Sequence, residues 1–157
     1  MKQRLISLLI NQLSGVLHDL DVSIESTRQE ALQAPSRMES RYDSAKQEAS
    51  YRANELIERR LRIQEDIKNL SAYAIRDAGM QDGIEEGTLF SVQDDRKKVS
   101  RYFLLPAGQG EVLVHPDTGE NIFVISLQSP IASVFLDKKT GDACVYRDRR
   151  YVILSVQ

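Results

Sequence analysis

The sequence predicts an α+β protein: an antiparallel coiled-coil hairpin over residues 1–78, a linker over 79–87, and a small β-rich domain over 88–157. Three observations predict it. Two long stretches each carry an apolar seam at alternating steps of four and three residues. A proline stands between those stretches, near their midpoint. Beyond them the pattern changes to short β-branched and aromatic runs separated by Gly, Pro and Asp turns.

The first seam is Ile6, Ile10, Leu13, Leu17, Leu20, Ile24, Thr27 and Ala31. Gln, Asp, Glu and Arg fill the intervening positions, as a solvated outer face requires. A helix over 3–33 would be about 45 Å long at the rise of an α-helix. The apolar start of this helix runs on into Asn11-Gln12-Leu13 in unbroken rhythm, so it reads as a helix and not as a cleaved signal. Pro35 ends it, because proline cannot extend the hydrogen-bond ladder and biases Ala34 away from helical dihedrals. Ser36 and Glu39 then form a capping-box pattern at the start of a second helix, which places the tip of the hairpin at 34–40.

The second seam is Met38, Tyr42, Ala45, Ala49, Ala53, Leu56, Arg60, Ile63, Ile67, Leu70 and Ala74. Its rhythm breaks once, between Ala49 and Ala53, where a supercoil would locally unwind. Arg60 is the odd member, and its stem can lie along the seam with the charged head in water. Folding the two helices on each other hides both stripes within one molecule; a dimerising stalk is the alternative. Gly79 suits a left-handed helix cap, and the polar, Gly-containing stretch to Gly87 reads as the linker.

In the second half, strands are expected at 88–92, 99–105, 111–114, 121–126, 142–147 and 151–156. Ser129 as N-cap and Pro130 at the first helical position mark a short helix between the fourth and fifth strands, with Ile131, Val134 and Phe135 facing the sheet.

Composition narrows the function. The chain has 157 residues, 41% hydrophobic and 28% charged, with a net charge of −2. No apolar run approaches the length that spans a bilayer, so no membrane partner is expected. Cys144 is the only cysteine, which suits a reducing cytoplasmic setting and reads as a small buried hydrophobe. His18 and His115 are far apart, so no metal site built on His and Cys clusters is expected. No phosphate loop, dinucleotide fingerprint or catalytic triad is present, and no catalytic residue is assigned. Lys and Arg number 21 against 23 Asp and Glu, without an evident basic stripe along the chain, so direct sequence-specific nucleic-acid binding is not expected.

The segments Ile125-Ser126-Leu127-Gln128-Ser129-Pro130-Ile131-Ala132 and Leu136-Asp137-Lys138-Lys139-Thr140-Gly141-Asp142 resemble two motifs of the Gre family of bacterial transcription elongation factors. Tyr102-Phe103-Leu104-Leu105-Pro106-Ala107-Gly108 resembles a group of small Gre-like proteins with divergent coiled coils. The resemblance implies an FKBP-like C-terminal domain that docks at the rim of the RNA polymerase secondary channel, and a coiled coil that reaches toward the polymerase active site. It points to Gln128, Ser129, Pro130 and Ile131 as polymerase-docking residues. In cleavage-active members an Asp-x-x-Glu pair at the tip helps hold a catalytic Mg²⁺, a hard ion that takes oxygen ligands. Here Glu39 matches, Ser36 replaces the Asp, and Asp43 could supply a second carboxylate one turn on. Arg37, Arg41 and Lys46 surround these acids.

The resemblance therefore implies a monomeric, cytoplasmic, non-enzymatic regulator of bacterial RNA polymerase with weak or no cleavage stimulation. It needs no cofactor of its own beyond an Mg²⁺ shared with the polymerase. Two alternatives stand beside it. One is a transcript-cleavage factor working through Glu39 and Asp43. The other is a chaperone-like or oligomerising module unrelated to polymerase.

Overall fold

A computed structural model of the chain describes residues 1–33, 41–75 and 83–157. Two helices come first, α1 (Lys2–Gln33) and α2 (Arg41–Ala72). Six strands follow: β1 (Leu89–Asp94), β2 (Val99–Leu104), β3 (Val112–Val114), β4 (Asn121–Ile125), β5 (Ala143–Tyr146) and β6 (Arg149–Val156). A short helix α3 (Ala132–Phe135) lies between β4 and β5. The chain is thus an N-terminal helical pair followed by a β-rich region. It groups into two compact units: one joins Met1–Ile10 to Lys68–Gln157, and the other is Asn11–Ile67.

The unit Asn11–Ile67 is a pair of antiparallel helical segments. Leu13, Leu20 and Ile24 of the first seam are buried, as is Ile63 of the second. Leu17, Thr27, Ala53 and Leu56 are half-buried, so the two seams run as their spacing predicts. The Thr27 hydroxyl donates to the Ser23 carbonyl one turn back at 2.9 Å. Arg60 corrects its expected role. Its head does not extend into water alone: Nε–H donates to Asp21 Oδ1 on the facing helix, and NH1 donates to Gln64 Oε1 at 3.2 Å. The guanidinium holds the Asp21 carboxyl below its ordinary value, through the hydrogen bond first and the charge second.

The other unit is built on one six-stranded sheet in the order β3-β4-β2-β1-β6-β5. All neighbouring pairs are antiparallel except β2 and β4, which run parallel with Arg101 beside Ile122 and Leu104 beside Ile125. A shift of register between Ser91 and Val92 marks a bulge against β6. On one face Phe90, Val92, Leu104, Ile125, Ile153 and Val156 pack with Ile84 and with Ala132 and Phe135 of α3. The ring of Phe135 meets Phe90 edge-on at 5.3 Å and Tyr151 at 5.8 Å. Ala132 is fully buried here, while Val134 is only half-buried, so the inner face of α3 differs by one member from the expected trio.

Residues that alternate with these, Leu89, Phe103, Ile122 and Val124, are buried as well, so the sheet is covered on both faces. Leu5, Ile6, Leu9 and Leu70, within the same unit, are buried at 1% exposure or less. Leu5 and Leu9 lie off the heptad seam. They are buried because this end of α1 packs on the β region as well as on α2. At Gly108, where φ is +76°, a Cβ would stand 2.8 Å from Leu9 Cδ2. Arg4 reaches Asp117 on the β3–β4 turn at 3.6 Å.

Candidate functional site

The segment that follows β4 gathers the residues expected to dock a partner. β4 ends at Ile125 because Ser126 turns inward: it is 5% exposed, and its hydroxyl donates to Gln109 Oε1. The Ser126 amide donates to Ser129 Oγ at 3.1 Å, and the Ser129 amide returns a bond to the Ser126 carbonyl at 2.9 Å. The Ala132 amide then donates to the Ser129 carbonyl at 2.9 Å, and Ser133 Oγ donates to the Pro130 carbonyl at 2.8 Å.

Ser129 therefore works backward along the chain. It does not cap α3, whose N-cap position is Ile131 and carries no side-chain cap. Instead it ties the turn to the end of β4. The Ala132 amide ahead of it is already held by the Ser129 backbone carbonyl, and the serine hydroxyl accepts instead from the amide of Ser126 at the end of β4.

This lattice of backbone and serine bonds projects a small surface. Leu127 is 46% exposed, and Gln128 and Pro130 are exposed. Ile131 is half-buried and packs against the α3 core. Of the four expected residues, Gln128 and Pro130 thus face outward, Ser129 braces the turn, and Ile131 anchors it. Sequence reasoning missed Leu127 and Gln109. Leu127 could have been found as an apolar residue just past a strand end, where a solvated turn should be polar. Gln109 lies in the preceding Gly108-Gln109-Gly110 turn, and nothing local ties it to Ser126.

The other candidate site was expected around Glu39 and Asp43. Glu39, with Ser36 and Arg37, lies outside the described residues. Asp43 lies on α2 by its backbone, and its side chain is outside the described part. Among the described residues no group of three or more His, Cys, Asp or Glu is placed to hold a metal ion. None of the described helices is long and apolar enough to cross a membrane.

Two further titratable groups lie at the α3 core. Burial pushes the Tyr102 phenol up from its ordinary value, with the nearby Tyr151 adding to the effect. Burial likewise raises the Cys144 thiol, partly offset by Lys138. Both shifts disfavour the anionic form, so neither group is set up as a nucleophile.

No family model matches the chain, and no curated protein matches it. Seven chains of solved structures do. Among them is the transcription factor Gfh1, at 18% identity over 94% of this chain and 92% of that one, with a TM-score of 0.39. GreA factor homolog 1 (Gfh1) of Thermus thermophilus aligns at 16% identity over 94% of each chain, TM-score 0.37. Gfh1 of Thermus aquaticus aligns at 14% identity over 94% of this chain and 92% of that one, TM-score 0.37.

Proposed function

We propose that the chain is a Gre-type regulator that binds bacterial RNA polymerase at the rim of the secondary channel, as a monomer, through the turn at 127–131. One observation carries the reading. The segment that resembles the family's Ser-Pro motif forms a braced turn that exposes Leu127, Gln128 and Pro130 while Ser126, Ser129 and Ile131 hold it from behind. A preorganised turn loses little conformational entropy on docking, and an exposed leucine beside a proline offers the apolar centre that a small interface needs.

In this reading the helical pair enters the channel and the β region grips the rim with an FKBP-like face. The chain is an accessory and not itself an enzyme. The replacement of the tip Asp by Ser36, together with Arg37 and Arg41 beside Glu39, supports weak or no cleavage stimulation. Any Mg²⁺ would belong to the polymerase.

Pull-down of core RNA polymerase by the tagged chain tests the reading. The wild type captures polymerase. Leu127→Glu and Gln128→Ala, which alter exposed side chains only, lower capture at unchanged thermal stability. A wild-type chain that captures no polymerase, or variants that bind as well as wild type, overturns it.

A further inference from the structure

We infer that the end of the sheet bearing the β1–β2 and β5–β6 turns is a docking surface for the phosphate backbone of duplex DNA, independent of base sequence. The inference does not rest on polymerase binding. It rests on a juxtaposition that the linear order of residues conceals.

Asp94 at the end of β1 stands beside Tyr151 of β6, and Tyr146 of β5 pairs with Arg149 of β6. The turn at 95–98 and the turn at 147–148 therefore emerge from the same end of the sheet, across four adjacent strands in the order β2-β1-β6-β5. They bring together Arg96, Lys97, Lys98, Arg147, Arg149 and Arg150. All six are exposed, and none forms an ion pair with another described residue. The chain as a whole has a net charge of −2, so this end is a concentrated exception.

Most acids at the same end are already engaged. The Asp94 carboxylate accepts from the amides of Arg96 and Lys98 at 3.0 and 2.8 Å. Asp117 pairs with Arg4, and Glu120 with Arg101 at 2.8 Å. Asp94 keeps its charge within its amide hydrogen bonds, and with the exposed Asp95 and Asp148 it makes three acids in the two turns against six cations, an excess of three positive charges.

The turns also hold cations in backbone conformations that favour glycine or asparagine. Lys97 has φ of 64°, and Arg147 and Asp148 have φ of 48° and 62°. The β5–β6 turn is of the two-residue kind in which Asn-Gly is the relaxed choice. A lysine and an arginine stand there in place of the residues that fold most easily.

Four strand ends span about 14 Å at the usual strand spacing. Duplex DNA carries roughly eight phosphates over that length, counting both strands around the helix, so the surface meets a dense array of negative charge. Four of the six are arginines, whose planar fork matches phosphate oxygens. The ring of Tyr146, half-buried, already carries the Arg147 guanidinium at 5.3 Å. Tyr151 packs its ring against Phe135. Neither aromatic is left as an open platform for an unpaired base, so a rigid backbone fits this surface better than a stacked single strand.

The test is fluorescence anisotropy of the full chain with a labelled 20-base-pair duplex of arbitrary sequence, across a salt series. Unlabelled single strand of the same sequence and polyglutamate serve as competitors. Six phosphate contacts predict about a thousandfold loss of affinity between 50 and 200 mM salt. Arg147→Ala/Arg149→Ala/Arg150→Ala should cut that loss to about fortyfold. Lys97→Gly removes one charge and relaxes its turn, so it should weaken binding and flatten the slope by about 0.9 while leaving the melting temperature no lower. Absence of duplex binding at 50 mM salt overturns the inference, as does a slope that neither variant changes. Single strand that competes better than duplex, or polyglutamate that competes as well, overturns it in favour of a different partner class.

Discussion

Leu9 and Gly108 offer the sharpest check on how this end of α1 is buried. Leu9 is fully buried, whereas its neighbour Leu8 is 38% exposed. Leu9→Ala should destabilise the chain by about 3 kcal/mol, the usual cost of truncating a buried leucine. Leu8→Ala should cost less than about 1 kcal/mol, as half-solvated positions do. Gly108→Ala carries two penalties: its φ of +76° is left-handed, and its Cβ would sit 2.8 Å from Leu9 Cδ2. The first costs about 1 kcal/mol. The second, crowding the end of a side chain, adds about 1 kcal/mol. With Leu9 already truncated, the crowding vanishes and only the backbone strain is left. The double variant should therefore fall short of the sum of the single ones by about 1 kcal/mol. Urea denaturation followed by circular dichroism reads all four variants against the wild type, provided the m-values agree. Additivity to within about 0.3 kcal/mol would refute the contact. Equal costs for Leu8→Ala and Leu9→Ala would refute the burial itself.

Two further outcomes follow from the titratable groups. Arg60 lowers the Asp21 carboxyl, so the pair stabilises the folded chain above the unfolded pKa of aspartate and loses that contribution as pH falls through the lower folded value. An NMR titration should place the Asp21 midpoint below that of an ordinary aspartate, and Arg60→Ala should return it upward; an unmoved midpoint contradicts the ion pair. Burial raises the Cys144 thiol, so its alkylation by a maleimide at neutral pH should be slower than that of a free cysteine and should recover on unfolding in urea. Equal rates in the folded and unfolded chain would contradict it.

Much of the candidate turn was legible in the residues, because Ser, Pro and an apolar neighbour in close order restrict the backbone locally. The role of Ser129 was not. Its hydroxyl had two possible amides, one ahead and one behind, and the choice depended on where β4 ended and on Gln109 occupying the Ser126 hydroxyl. Arg60 is similar. An arginine on an apolar seam reads as a snorkelling side chain until Asp21 on the facing helix supplies a partner.

By itself the amino-acid order determined the two long helices, the strands and their turns, because each rests on periodicity and on proline or glycine acting within a few residues. Only the tertiary structure decided that Leu5 and Leu9 are core, that the sheet runs β3-β4-β2-β1-β6-β5, and that two basic turns far apart along the chain share one end of it. Those outcomes depend on which strand pairs with which, and strand pairing joins residues distant along the chain through backbone groups that every residue carries alike.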